Sequence, residues 1–523
     1  MPSDNAQSGA RAANVLLTVG LLLILTLLAL FVHGFHVGIE DDAIYLPAVK
    51  QHLNPSLYPH DSIMFEPQTR PTLWDELVAY SIRLTGVSVE TGEFAWYLFC
   101  LFAFLSGCWL LMTRVFEHRL ERLGAVAVVT ALLTMPVAGV AIYIADQHLH
   151  PRMLATALVL VGASILLPLP NESVSLNRAA ISLLLTALAT LIHVQMAFYG
   201  LVFLIFLVLP LERFGERAVE FWVLLTPLLM LFQHGSAQWV EASRIKRQHY
   251  LFRWEWYEWI GIFGPIIILY LIARWAQRRN RPAVHNLALR VALLGAFGFL
   301  VTLVLTTPPK LERLTAYQPM RIFHTVYLMM LLLFGGLAAQ MLLKRSWWRW
   351  VLLLFPMSVG MYFAQRDLFP RTNHIEWPGR STGNAWVEAF QWVRKNTPND
   401  AYFALDQHFM VAYGEDYHGF RALAERGHIA DWDKDSGVAC LFPSLAPRWS
   451  REVHALQGFN HFGDDDFRRL EHDFGVSWVV LEKPYVHQYE DGRLETRGFT
   501  GPASEIFAEC PYQNSAVRVC KLR

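Results

Sequence analysis

Three consecutive carboxylates, Glu40, Asp41 and Asp42, stand in the segment Gly38-Ile39-Glu40-Asp41-Asp42-Ala43, just after an unbroken apolar run over residues 15–32. At about 1.5 Å per residue that run crosses most of a ~30 Å hydrocarbon layer, which puts the acidic triplet at the far interface. A carboxylate placed there can take a proton from a hydroxyl, or hold a divalent cation such as Mg or Mn against a phosphate. Asp41 and Asp42 are the expected catalytic pair, with Glu40 as a substrate-binding neighbour. The plainer alternative is a charged helix end solvated by water, because charge costs little at a membrane exit.

A second polar stretch, Asp146-Gln147-His148-Leu149-His150-Pro151-Arg152, follows the third apolar block. Asp146 is an expected metal ligand alongside Asp42, and His148, His150 and Arg152 are expected substrate contacts, since Arg clamps phosphate and His ligates or shuttles protons. Alternatively Pro151 and Arg152 only start a helix. A third stretch offers Lys310, Arg313 and Arg321, cations suited to neutralising a leaving phosphate or, more plainly, to anchoring an interface. His193 and Gln195 sit deep in an apolar block and read as a helix-to-helix hydrogen bond. Asp406, His408, Glu415, Asp416 and His418, and the run Asp431-Trp432-Asp433-Lys434-Asp435, have no triad or closed metal spacing and read as solvated surface charge.

The elements that must carry these groups are mostly membrane helices. Of 523 residues 54% are hydrophobic and 17% charged, and the apolar residues come in blocks of about 18 to 22, the mark of a polytopic α-helical membrane protein. With 44 basic and 44 acidic residues, charge gives no case for a nucleic-acid partner. Hydropathy predicts about eleven transmembrane helices, near 15–35, 93–113, 123–143, 152–170, 179–193, 195–210, 219–233, 257–275, 287–307, 322–343 and 347–364. Residues 179–210 as one helix would be roughly 48 Å long, so a break is expected at His193-Val194-Gln195. That break puts the basic loops at 114–122, 274–281 and 344–349 on the cytoplasmic side. The loop at 236–256, with Arg244, Lys246, Arg247 and Arg253, then falls outside against that bias, as a lipid-phosphate contact or an interfacial helix. Trp239, Trp254, Trp256 and Trp259 there read as an interface belt sooner than as sugar platforms. The first apolar run reads as a retained helix with a cytoplasmic N-terminus.

Residues 1–365 therefore read as a membrane domain with a long first outer loop at 36–92, and residues 366–523 as an outer α/β domain. In the loop, Leu73, Leu77, Tyr80 and Leu84 repeat at helical spacing up to a stop at Gly86, so this helix is expected to lie flat on the membrane. In the terminal domain a helix is expected over 386–396, and strands over 401–405, 477–481 and 517–522. Cys510 and Cys520 flank a hairpin-like stretch that can form a disulfide in an oxidising compartment.

A helix, then Glu-Asp-Asp in a long outer loop, many spans and a terminal outer α/β domain resembles the GT-C glycosyltransferases. The wording from Glu40 to Val49, followed by Asn54-Pro55-Ser56-Leu57-Tyr58-Pro59-His60-Asp61, is similar to an uncharacterised bacterial membrane family near that fold. His150-Pro151-Arg152, Gln318-Pro319-Met320-Arg321, Gly419-Phe420-Arg421 and Ala430-Asp431-Trp432 fit the same family. The resemblance implies a bacterial inner-membrane enzyme with a periplasmic site. It would move a sugar from a polyprenyl-phosphate-linked donor to a lipid, glycan or protein acceptor, with inversion. By the same resemblance the first-loop acids are base or metal ligand, and Asp146 is the second-loop acid. A second-loop acidic pair is absent, since Gln147 and His148 follow Asp146. The rival reading is a non-catalytic carrier or glycan-lipid-binding subunit.

Overall fold

The computed structural model describes residues 4–168, 172, 174–210, 235–306, 309–488 and 494–523, and the span expected at 219–233 lies outside them. The chain divides into two compact units. One comprises Met1–Phe35, Ala95–Gln233 and Tyr250–Gln365, and the other His36–Phe94, His234–His249 and Arg366–Arg523. The second unit thus draws on the residues after the first apolar helix and on a short central segment as well as on the C-terminal residues.

Among the described residues five helices are long and apolar enough to cross a membrane: Ala12–His33, Val89–Thr113, Trp256–Arg278, Pro282–Thr306 and Leu311–Leu343. Pro151–Leu166, Leu176–Ile192 and Val194–Val208 are shorter apolar helices. The expected break falls at His193, whose extended backbone (φ −156°, ψ 101°) ends one helix while its ring accepts the Met196 N–H of the next (3.2 Å). The span expected over 123–143 is different. Its helix, Arg119–Ala131, stops early, and Pro136–Val137 pairs antiparallel with Ile142–Tyr143. Pro136 disfavours helix in the residue before it, and Gly139 and Ala141 take positive φ, so the chain turns back. Backbone groups freed in an apolar body need internal partners. His33 bonds the Thr130 carbonyl, its other ring nitrogen meeting the Thr134 hydroxyl (both 2.8 Å), and His324 bonds the Ile144 carbonyl (2.8 Å).

Arg119–Ala131 crosses Phe323–Ala338 where Gly124 meets Gly335: a methyl group on either would run into the other's backbone. Such small-residue crossings hold membrane helices together by close backbone packing. Gly335→Leu is therefore expected to destabilise this unit by at least the ~1–3 kcal/mol typical of overpacking. A lowered melting temperature in micelles checks it, and an unchanged one would remove the crossing from the account.

The second unit is built round a five-stranded mixed sheet ordered Gly427–His428, Tyr402–Ala404, Trp478–Glu482, Val517–Leu522, Phe507–Gln513. The first three strands are parallel and the last two join antiparallel. Phe459, Phe462, Phe467 and Phe499 pack with Val479, Leu481 and Cys520 as its core. Ala385–Asn396 forms as expected, capped by Asn384, whose Oδ1 accepts from Trp386 N–H (2.9 Å). Cys510 and Cys520 are disulfide-bonded. The segment at 236–246 is part of this unit: the buried Trp239 donates its indole N–H to the Cys440 carbonyl (3.0 Å), and Lys246 pairs with Asp433 (2.9 Å).

Candidate functional site

The acidic triplet lies on a turn that is backed by the C-terminal residues of its own unit. Ile39 bridges antiparallel to His418, Gly419 N–H donates to the Gly38 carbonyl (2.8 Å), and Glu40 N–H donates to the Tyr417 carbonyl (3.2 Å). Two glycines permit this approach. Gly38 has φ +71° and faces Ala422 and Leu423, and a methyl on Gly419 would strike Ala43. Three residues other than glycine, Glu40, Asp416 and Tyr417, hold positive φ here. Such strain persists only where surrounding contacts fix it, and it concentrates at functional sites.

The three carboxylates are not equivalent. Asp42 is buried and starts the helix Asp42–Leu53, and its Oδ2 accepts from Gly38 N–H (2.7 Å), which closes the turn. Burial pushes its pKa up to about 7; Gly38 N–H and Lys50 oppose the rise, and Glu376 and Asp41 add to it. Glu40 and Asp41 keep side-chain exposures of 29% and 33%, and both meet the Lys434 ammonium, Asp41 at 3.3 Å. Burial works against that ammonium, but Glu40, Asp41 and Asp433 outweigh it and hold its pKa above the usual lysine range. Only the first two acids are thus reachable from solvent.

Beneath the turn is a buried network. Glu376 accepts from His36 Nδ1 (3.0 Å), His418 Nε2 (3.3 Å) and Val37 N–H (3.3 Å). Burial opposes its charge, yet the two imidazoles pull its pKa down to about 2. His418 Nδ1 faces the Glu415 carbonyl (2.7 Å), so both ring nitrogens meet acceptors and the imidazolium is favoured. Alongside, the buried Arg421 is bidentate to Asp435 (2.8 and 2.9 Å) and bonds Asp61. Asp431 accepts from the Lys434 and Asp435 amides (2.6 and 3.2 Å) at the start of Lys434–Leu441. Burial, followed by Asp435, raises its pKa to about 7. The recess between Ala43, Ile44, Phe420, Asp431 and Lys434 has room for roughly one water molecule. A sugar does not fit within it.

Glu415, His418, Asp431 and Asp435, expected as solvated charge, are therefore buried and paired. Lys434 was hidden in a charge run, and Glu376 carried no signal in its neighbours. Among the described residues no group of three or more His, Cys, Asp or Glu side chains is disposed to hold a metal. Around the triplet the reason is visible: Lys434 already supplies the countercharge, and Asp42 is engaged with backbone.

The other expected residues belong to the first unit, where several converge. Asp146 and Arg152 form a buried ion pair (3.1 Å). His150 accepts the Arg152 N–H (2.9 Å) as cap of Pro151–Leu166, and its ring lies 5.9 Å from that of His148 and 5.4 Å from that of His193. Arg321 donates to Gln195 (2.7 Å), which donates to the Tyr317 carbonyl (2.7 Å). His324, also buried, bonds the Ile144 carbonyl two residues before Asp146. The second and third polar stretches and the helix break at His193 so meet in one polar cluster inside an apolar helical body. Arg313 is half-buried in the 3-10 segment Pro309–Tyr317, and the Lys310 side chain lies outside the described residues. Of the aromatic residues considered as sugar platforms, Trp239 and Trp254 are buried and Trp256 is exposed. No family model matches the chain, and no curated protein matches it.

Proposed function

We propose that this chain is a membrane glycosyltransferase that moves a sugar from a polyprenyl-phosphate donor to a hydroxyl of a lipid, glycan or protein acceptor, on the periplasmic side of a bacterial inner membrane. One observation carries the reading: Asp41 presents a partly exposed carboxylate on a strained turn backed by the buried pairs of Glu376 with His36 and His418. Preorganisation of that kind is what a base needs to meet one hydroxyl in one orientation. Asp41 takes the acceptor proton, the alkoxide oxygen attacks the sugar C1, and the bond to the lipid phosphate breaks with inversion. Asp42 fixes the turn through Gly38 N–H. Within the first unit, Arg152, paired with Asp146, and Arg321 are ionisable groups in an apolar helical body, which marks a functional site of its own.

A second reading draws on Lys434. An acid already paired with an ammonium is a weakened base, which favours a subunit that binds glycan lipid without transferring sugar. Radiolabelled transfer from a panel of polyprenyl-phosphate sugars in proteoliposomes, measured beside lipid binding, separates the two. The enzyme reading expects transfer that is lost in Asp41→Asn while lipid binding persists. Binding without transfer from any donor in wild type would establish the subunit reading instead.

A further inference from the structure

Asp406, His408 and Trp432 share one place in the fold. The strands Gly427–His428, Tyr402–Ala404 and Trp478–Glu482 are parallel, with Tyr402–Ala404 between the other two. The chain leaves the middle strand toward Gly427–His428 and then returns past it to Trp478–Glu482, so the order reverses between Tyr402–Ala404 and Trp478–Glu482. Open α/β sheets bind ligands outside the carboxyl ends of their strands at such a reversal. Asp406 and His408 follow the middle strand, Trp432 follows Gly427–His428, and Glu482 ends Trp478–Glu482.

The side chains at this edge are held in place and reach solvent. Trp432 N–H donates to the Gln407 carbonyl (2.9 Å), which joins two strand ends, and the Trp432 ring lies 5.2 Å from that of His408 and 5.9 Å from that of the buried Trp449. Asp406 accepts from Asn460 Nδ2 and from the His408 N–H (both 2.8 Å), and Glu482 accepts from the Tyr413 N–H. His408 is exposed, and Asp406, Trp432 and Asn460 are half-buried. Burial, followed by Asp406, pushes the Glu482 pKa up to about 7, so near neutrality the two acids offer a donor as well as acceptors. Carboxylates repel a phosphate, and both Asp406 oxygens already take N–H groups, which disfavours a bare cation. Flat rings beside carboxylates and an amide suit a saccharide, whose hydroxyls bond the polar groups while its C–H faces pack on the rings.

We propose that this edge binds a saccharide chain, with Trp432 and His408 packing on one ring and Asp406, Asn460 and Glu482 taking the hydroxyls of the next. Three strand ends at a spacing of about 4.8 Å span roughly 10 Å, the length of about two hexose rings. Trp432 stands two residues before Lys434, whose ammonium meets Glu40 and Asp41, so a saccharide on the Trp432 ring lies beside the acidic turn. That saccharide is the acceptor of the transfer, a step that rests on the proposed function. The acceptor is then a glycan, not a bare lipid hydroxyl or a protein side chain.

Saturation-transfer NMR on full-length protein in phospholipid nanodiscs tests this, with cellotetraose, maltotetraose, chitotetraose and mannotetraose as probes. The expected result is saturation of the ring C–H protons of at least one probe, with affinity lowered about tenfold in Trp432→Ala and in Asp406→Ala. His408→Ala, at an exposed position, should weaken binding several-fold at an unchanged melting temperature, which separates the site from a folding defect. Asp465→Asn, at a side chain 97% exposed, should bind as wild type does. No saturation of any probe, or saturation unchanged in all three alanine variants, would overturn the proposal. The two readings fail separately. Sugar transfer to a lipid hydroxyl by a protein that binds no probe would leave the transferase standing and overturn the saccharide site. Probe binding that depends on Trp432 and His408, without transfer from any polyprenyl-phosphate donor, would uphold the site and sink the transferase.

Discussion

Replacing Arg421 with methionine is expected to destabilise the second unit by about 3–5 kcal/mol, the usual cost of removing one partner from a buried ion pair. The guanidinium bonds both Asp61 and Asp435, and all three side chains are buried. Without it two carboxylates lose their countercharge, and Asp431, already raised by Asp435, loses the cation that opposes the rise. The effect reaches beyond the triad because the carbonyls around Arg421 are anchors too: Tyr58 donates to the Arg421 carbonyl (2.9 Å) and Lys50 to that of Ala422 (2.7 Å). Hydrogen exchange on the intact protein in micelles should show protection lost first in Phe420–Ala424 and Lys434–Leu441. Arg421→Lys keeps the charge but cannot form the bidentate pair, so it should fall between the two. Wild-type protection in Arg421→Met would remove the triad from the account.

What the sequence made legible follows from where its information is local. The break at His193 was readable because a helix through it would be too long. The helix Trp74–Thr85 with its stop at Gly86 was readable from period and glycine together, and the three named strands from their aromatic and β-branched residues. The early stop at Ala131 was not, because hydropathy averages over Thr134, Pro136 and Gly139 and cannot see His33 and His324 taking the freed carbonyls. The site divides in the same way. Three adjacent acids announce themselves, but their inequivalence depends on Gly38, Glu376 and Lys434, and the last two lie more than three hundred residues away along the chain. Charge counted along a chain reads as solvated surface, whereas burial is decided by partners that a single sequence does not reveal.

Stability of the second unit should fall between pH 5.5 and pH 8, and Asp42→Asn should remove part of that fall. An isolated aspartate titrates near 3.8, and Asp42 in the fold near 7, so the folded state binds this proton more tightly. Its protonated form therefore favours folding fully below the unfolded value. That advantage declines as pH rises through the folded value, by at most about 1.4 kcal/mol per pH unit. Asp431 acts in the same direction, and His418, whose charge is favoured by burial-opposing bonds to Glu376, loses its contribution as pH rises through its raised pKa. Glu376 titrates from 4.5 unfolded to about 2 folded and so contributes fully across this window. Lys50, Glu376, Asp41 and Glu93 face Asp42, and none of them removes the sign. An asparagine Oδ1 can still accept the Gly38 N–H, so the turn survives, and at pH 8 the variant should melt higher than wild type. Identical pH slopes in thermal unfolding would mean that Asp42 is not the buried acid that tunes the unit. The same variant decides between the two acids of the proposed chemistry: if Asp41 is the base, Asp42→Asn gains stability and retains transfer, and if transfer is lost in a better-folded protein, the proton is taken by Asp42 itself.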